Sequence, residues 1–563
     1  MKLALPSRRA FILIAGLSAI IYLLVFGLPF PLSQHYNTIP PVDYAKLTNY
    51  SVGGVVSYIV GLAILFGLYL WALRLVMPKS GEASTLAIGG RFVIVTGAAL
   101  AVLLLFSYPV DAIDVFVYAI YTRGWGLYGL NPLATAPAQF PGNDPWVGLA
   151  AEWASAPSPY GPVWQVLSLG AYFAGGGDFL RQIYALKVLM ILAYLGCAVL
   201  IYLILKQRQP VWAVAGTIAF AWNPLVLLEV AQNGHNDIVM IFFLLAAVWA
   251  LVHSSSRDPH PSTSQRAHVA QRAAQPVAGE RRERNEMKSK HARCSARDAT
   301  YLLLVCLFLA LSILTKFITI VVVPFFLLAL FSRGEHSPGE HSPGQRWPDR
   351  FARLIGSGLL IGALVVIGML PLWPGWETWA LVQGADSAGR SILALLILSV
   401  KDIVGLETAF PAARLFLWAV FALIYGYCLW RVIDIIRRGT AGRREAIEQT
   451  IASSFLTLFW LLLLVMPLFH AWYIVWSFPL AVLLLPQRRA LAASIVFSMS
   501  ALLVVPYFET IRVWYPVLLQ QPALGHLIGV SVMAVPPIVV LVWPRKKWQG
   551  LLAAYSAMRA RLS

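Results

Sequence analysis

Long apolar runs separated by short charged or polar stretches repeat along almost the whole chain. They cover residues 11–30, 52–77, 92–109, 179–205, 211–230, 238–252, 354–372, 415–430, 451–469, 472–485, 490–505 and 528–542. The run 301–331, broken only at Thr315-Lys316, is long enough for a tight pair of short helices. About 20 apolar residues in a helix cross a bilayer core, so the pattern predicts an all-α polytopic membrane protein with about 13–14 transmembrane helices. A further run, 161–174, is short for a span and ends in Gly175, Gly176, Gly177 and Asp178.

The charged residues between the runs set the sidedness, because Lys and Arg are retained on the cytoplasmic side. Lys2, Arg8 and Arg9 precede the first run, which lacks a cleavage site and is read as a retained helix. Lys79 and Arg91, Lys206 and Arg208, Arg431, Arg437, Arg438, Arg443 and Arg444, Arg488 and Arg489, and Arg545, Lys546 and Lys547 all fall on the same side. Both termini are then cytoplasmic. The loops 110–160 and 232–237 and the Lys316 turn lie on the outer side. Parity requires 161–174 to be re-entrant or interfacial. An interfacial helix is expected at 392–400 in the outer segment 373–413.

Three parts follow. Residues 1–253 hold the N-terminal spans and the outer catalytic loop 110–160. Residues 254–298 are polar, basic and without apolar period, and read as a disordered cytoplasmic loop that touches anionic lipid. Residues 299–563 hold the C-terminal spans. The direct repeat in 334–344, with its His residues, reads as low-complexity loop expansion and not as a metal site.

Composition agrees. The chain has 563 residues, 59% of them hydrophobic and 12% charged, with a mean hydropathy of +0.72. No soluble fold hides that much apolar surface. A net charge of +18 in such a chain points to cytoplasmic loops and lipid headgroups; no nucleic-acid motif occurs. Cys197, Cys294, Cys306 and Cys428 are scattered, with neither metal nor disulfide spacing.

The unusual polar residues gather on the outer side: Asp111, Asp114, Arg123, Asn131, Tyr160, His235, Asn236, Asp237, Lys316, Arg390, His470, Trp472 and Tyr473. Ionisable groups at such depth are costly and point to function. Acid, base, cation and aromatic are what gripping a lipid phosphate, holding a sugar and taking a hydroxyl proton require. Each residue also has an ordinary reading. Asp111 and Asp114 mark a helix end. Lys316 snorkels to the interface. His235 is a loop histidine. Asn236 or Asp237 caps the helix that follows. Trp472 and Tyr473 form an aromatic belt, and Tyr160-Gly161-Pro162 is a turn.

At these residues the chain resembles the GT-C superfamily of integral-membrane glycosyltransferases, and more closely the bacterial polyprenyl-phosphate-mannose-dependent mannosyltransferases. Four pieces carry the resemblance. They are Asp114-Val-Phe-Val-Tyr118 followed by Gly129-Leu-Asn131-Pro132; Ser158-Pro-Tyr-Gly-Pro-Val-Trp164; Trp222-Asn-Pro-Leu with Asn233-Gly-His-Asn-Asp237; and Leu314-Thr-Lys316 with Ala471-Trp-Tyr-Ile-Val-Trp476. Two features depart from the family pattern. His470-Ala471 stands where a proline often precedes Trp-Tyr, and three spans precede the Asp loop instead of one.

The resemblance implies a polyprenyl-phosphate sugar donor, a glycan or glycolipid acceptor, and transfer with inversion at the outer face of the cytoplasmic membrane. Mannose is the sugar it suggests; arabinose, glucose and galactose stay open. Asp114 would be the base, a role open to a carboxylate that takes the hydroxyl proton late in the transition state. Lys316 and His235 would hold the donor phosphate, with Arg123 and Arg390 as alternatives. Tyr118, Trp472 and Tyr473 would stack on sugar or isoprenoid. Asp111, Asn131, Tyr160, Asn236, Asp237 and His470 complete the substrate contacts. The leaving phosphate needs no divalent metal, so no cofactor is expected; Asp114, His235 and Asp237 are the one set that offers ligands to one. The main rival is a transporter or flippase, which places carboxylates in mid-helix and shows two pseudo-symmetric halves. A polysaccharide polymerase or ligase is the second.

Overall fold

The computed structural model describes residues 8–78, 88–254, 280–331, 347–376, 388–438 and 443–543. Among them no strand occurs, only two isolated bridges, Pro31 with Ser107 and Gly389 with Leu468. Among the described residues nine helices are long and apolar enough to cross a membrane, or ten if the bent pair Pro210–Ala221 and Pro224–Gln232 is one span. Four further apolar helices, Gly90–Leu105, Asp237–His253, Phe317–Phe331 and Ala471–Leu483, are shorter than that test demands. The protein is therefore an all-α, multi-pass membrane protein. The expected 13–14 spans are reached only when the short helices are counted with the long ones.

The longer α-helices, numbered in chain order, are α1 (Arg8–Ile21), α2 (Val52–Val76), α3 (Gly90–Leu105), α4 (Asp114–Tyr128), α5 (Pro162–Ala174), α6 (Phe179–Arg208), α7 (Ala213–Ala221) and α8 (Asp237–His253). They continue with α9 (Glu280–Thr315), α10 (Val323–Phe331), α11 (Trp347–Met369), α12 (Ile392–Val404), α13 (Leu406–Arg438), α14 (Arg443–Leu464), α15 (Arg488–Pro506) and α16 (Pro522–Val542). Apolar residues on all sides make these helices stable where one side faces lipid and the other the bundle. Two of the lipid-side helices, α11 and α13, are the least buried.

Helix α5 has 13 residues, about 20 Å of length against a core of about 30 Å. It is shorter than the bilayer core, and the parity argument expects it to be re-entrant or interfacial. Helix α12 extends the segment expected to be interfacial. The basic stretch departs from expectation: α9 begins at Glu280 and runs unbroken into the apolar span. Its Glu, Arg, Lys and Ala residues are good helix formers, so the helix continues past the membrane edge. The rest of that stretch, 255–279, and the repeat in 334–344 lie outside the described residues, as do Lys79, Arg545, Lys546 and Lys547.

Several helices break toward the polar cluster. Asn223 caps the backbone N–H groups of Leu225 and Val226, and Pro224 starts a new direction, with a 52° bend across the break. The segment Leu228–Gln232 then widens into a π-turn, a form that recurs at functional sites. Helix α9 stops at Thr315, and Lys316 adopts an extended conformation before the 3₁₀ turn Phe317–Val322.

One contact fixes the outer loop to this break. Gly161 N–H donates to the Thr315 carbonyl at 3.1 Å. A Cβ on Gly161 would lie 2.0 Å from the Leu314 carbonyl oxygen. Only glycine lets the two backbones meet, and that seats Tyr160 beside Lys316. Gly161→Ala is expected to lower stability by about 2–4 kcal/mol and to disturb the Tyr160–Lys316 geometry. Thermal unfolding of the purified variant against wild type checks this.

Candidate active site

Asp114 opens α4, where the helix N-terminus favours a carboxylate. Its Oδ1 accepts from the Tyr160 hydroxyl at 2.9 Å and from the Tyr118 hydroxyl at 3.3 Å. Among the described residues no side chain bonds Oδ2. The two tyrosines are braced by rings set edge to face. Tyr118 lies 5.0 Å from Tyr160 and 4.9 Å from Trp164, centroid to centroid. Gln165 donates to the Ser158 hydroxyl at 2.7 Å and to the Tyr160 carbonyl at 3.2 Å, which locks the turn before α5.

Asp237 begins α8 and is 1% exposed. Its Oδ1 accepts from Lys316 Nζ at 2.7 Å and from the Trp476 indole N–H. Lys316 Nζ also faces three rings, 5.5 Å from the Tyr160 centroid, 5.2 Å from Tyr473 and 5.1 Å from Trp476. The cation does not snorkel. It is held inward by a carboxylate and an aromatic wall, and Tyr160 touches both it and Asp114.

A second polar group lies beside the first. Asn233 Nδ2 donates to Glu229 Oε2 at 2.9 Å and approaches Asp111 Oδ2 at 3.5 Å. The Tyr58 hydroxyl reaches the same Asp111 oxygen at 3.4 Å. Asn233 Oδ1 accepts from Val110 N–H, and Gln232 donates to the Tyr108 carbonyl, so the Asp111 loop is sewn to the π-turn. Burial, and then the neighbouring Glu229, push the Asp111 carboxyl well above its usual range. A pocket of about 290 Å³, counted out to its opening, is lined by Asp111, Glu229, Arg390, His470 and Trp472 with apolar residues of α15.

Trp472 separates the two groups. His235 stacks on one face at 3.9 Å and 13°, and His470 stacks on the other at 4.0 Å and 20°. Both faces are covered, so Trp472 is neither a belt residue nor a stacking platform for a sugar; its edge alone remains. Tyr118 is buried as well, and acts through its hydroxyl. Tyr473 is half-buried beside Lys316, its ring 5.2 Å from the ammonium.

The structure gives other partners to several expected residues. Arg123 Nε pairs with Asp144 at 2.7 Å. It lies nine residues along α4 from Asp114, about 13 Å by helical rise. Asn131 clamps the outer loop, donating to the Leu372 carbonyl at 3.1 Å. Arg390 is ion-paired with Glu509. Asn236 is not a side-chain cap: it precedes α8 in helical conformation with no cap bond. Both of its amide atoms are buried and unpartnered.

His235 Nε2 lies 3.2 Å from Glu229 Oε2, outside hydrogen-bond geometry. Burial lowers its pKa from 6.5 to about 4, against the raising effect of Asp114 and Asp237. At neutral pH His235 is an uncharged imidazole and not the cation expected for a phosphate. Lys316 alone of the expected cations meets Asp237.

Glu229, Glu509, Trp476 and Asn233 were outside the expected set. Glu229 had a signal: it is a carboxylate inside an apolar run, where an ionisable group is costly. Glu509 stands just past the run 490–505. Trp476 and Asn233 lie within the pieces that carry the resemblance.

Residues 13–332 match the family model described as alpha-(1->6)-mannopyranosyltransferase, N-terminal domain. The chain belongs to this mannosyltransferase family. The resemblance read from the motifs is thereby borne out. No curated protein matches the chain. Among solved structures it is similar to the archaeal oligosaccharyltransferase AglB of Archaeoglobus fulgidus in complex with an inhibitory peptide and a dolichol-phosphate. The identity is 14% and the TM-score 0.33, over 80% of this chain and 55% of that one. A second structure of the same organism's oligosaccharyltransferase, with Zn and sulfate, gives 15% and 0.32 over 82% and 54%. The chain thus spans about half the length of these relatives.

In this family member the matched part holds Asp111, Asp114, Glu229, Asp237 and Lys316. Arg390, His470, Trp472, Trp476 and Glu509 lie beyond it and close the site from the other side. The His235 shift has a consequence for stability. An unfolded imidazole titrates near 6.5 and the folded one near 4, so the unfolded chain binds more protons between those values. The His235 contribution is complete above about pH 6.5 and is lost as pH falls toward 4. Asp111, shifted upward, acts in the opposite direction, so the readout is a difference. His235→Gln should flatten the acid-side loss of melting temperature relative to wild type in the same detergent.

Proposed function

We propose that the protein transfers mannose from a polyprenyl-phosphate donor to a hydroxyl of a glycan or glycolipid acceptor, at the outer face of the membrane, with inversion. The observation that carries this reading is Tyr160, which bonds the candidate base Asp114 and walls the candidate phosphate cation Lys316. A base and a cation on either side of one ring are what a single displacement at an anomeric carbon needs.

In this reading the acceptor oxygen attacks the anomeric carbon as the bond to the phosphate oxygen breaks. The acceptor proton passes to Asp114 Oδ2, while Tyr118 and Tyr160 hold Oδ1 and fix the carboxylate plane. The electron pair of the broken bond leaves on the polyprenyl phosphate. Lys316 compensates that charge by turning from Asp237 toward the phosphate, and Trp476 keeps Asp237 hydrogen-bonded. His235 serves as a neutral donor or spacer. The family supports the sugar, and the gathering of charge at one end of the helices favours an enzyme over a transporter.

Membranes carrying wild type or Asp114→Asn are supplied with radiolabelled polyprenyl-phosphate mannose. Wild type is expected to transfer label to endogenous acceptor, and Asp114→Asn to be slower by at least about a hundredfold at equal expression. Equal transfer by both removes Asp114 from the chemistry. Lys316→Met should chiefly raise the donor KM and lower kcat.

No step in this scheme uses a metal. Transfer is expected to be unchanged after treatment with EDTA, measured in the same assay; loss restored by added Mg²⁺ or Mn²⁺ would overturn that expectation.

A further inference from the structure

We propose that the pocket beside Trp472, floored by Asp111 and Glu229, grips the hydroxyl edge of the acceptor sugar. This rests on the transferase reading and deepens it by assigning a place to the acceptor.

The argument begins with unsatisfied atoms. Buried polar atoms in native proteins find partners. Here Asp111 Oδ1 and Glu229 Oε1, from the two carboxyl groups that line the pocket, are buried without one. Glu229 is fully buried. Both are carboxyl oxygens, and their complement is an uncharged hydroxyl. A sugar edge offers one. A second cation is not needed, because Arg390 at the pocket is already paired with Glu509. Among the described residues no group of three His, Cys, Asp or Glu side chains is placed to hold a metal ion.

Size and position narrow the ligand further. The enclosed part of the pocket has room for about one water-sized group. It takes a single hydroxyl at the edge of one ring and not an oligosaccharide. The phosphate cation Lys316 stands with Asp237, Tyr473 and Trp476, while the Asp111–Glu229 pair stands beyond the His235–Trp472–His470 stack. A donor anchored at Lys316 therefore leaves this pocket to the second sugar. Asp111 precedes Asp114 by three residues, at most about 10 Å of chain, so the pocket and the candidate base lie on the same short stretch.

The pocket draws on both parts of the chain. Asp111 and Glu229 lie within the matched residues 13–332, whereas Arg390, His470, Trp472 and Val505 lie beyond them. The first part supplies the acid floor and the second supplies the walls that shape the opening.

The test is a binding measurement on the full-length protein in lipid nanodiscs, by titration calorimetry with α-1,6-linked mannobiose and no donor present. Wild type should bind in the millimolar range or tighter. Glu229→Gln and Asp111→Asn should each weaken binding by about tenfold or more. Val505→Phe, which fills the pocket without touching a carboxylate, should weaken it as well. Melting temperatures of the variants separate this from misfolding: a variant that melts as wild type yet binds mannobiose equally well overturns the proposal. So does absence of wild-type binding. If affinity for a short-chain prenyl-phosphate mannose falls in Glu229→Gln and mannobiose binding does not, the ring in the pocket belongs to the donor, and the proposal is likewise overturned. Transfer is not read in this experiment, so an absent transferase activity would appear separately, with mannobiose binding intact.

Discussion

The ion pair between Lys316 and Asp237 is the interaction on which the polar end of the bundle depends. Two charges at the edge of an apolar bundle are tolerated only when they meet each other and further polar partners. The pair meets both conditions. Lys316 reaches Asp237 at 2.7 Å, Trp476 supplies a second donor, and three rings line most of what remains around the ammonium. The price is a set of interrupted helices. α9 ends so that Lys316 can turn inward, the Pro224 break redirects the chain toward Asp237, and the 3₁₀ turn Ala471–Trp476 brings the indole over it.

These breaks explain how much was legible in the chain. Spans were readable because about 20 apolar residues mark a crossing regardless of packing. Asp114, Tyr160, Asp237 and Lys316 were readable as a set because each stands where an apolar run stops on the same side. Partnership within the set was not. Nothing in the order of residues says that Asn131 bonds Leu372 or that Arg123 belongs to Asp144, since both depend on how the outer loop folds back on itself. Trp472 shows the limit best. An aromatic next to a Tyr at a span end reads as an interfacial belt, and only tertiary packing places an imidazole on each of its faces.

Glu229 was the residue most available to a stricter reading. It sits at the end of an apolar run with no neighbouring charge in sequence, and desolvation alone makes it improbable there without a purpose. One partner is local and one distant. Asn233, four residues on, bonds it across the π-turn, and Asp111 arrives from the loop after α3. The family match ends at residue 332, yet the walls facing Glu229 come from residues 390 to 505. The two parts of the chain thus meet at a polar pocket.

The contact of Gly161 with the Leu314 carbonyl sets the spacing between the base and the cation. Backbone meets backbone there, with no side chain between them. The separation of the Tyr160 and Lys316 main chains therefore inherits the stiffness of bond lengths and angles rather than the adaptability of rotamers. A site built on side-chain packing can loosen to admit a larger ring. This one has a fixed gauge at its narrowest point, and tolerance for different sugars must come from the softer walls around it.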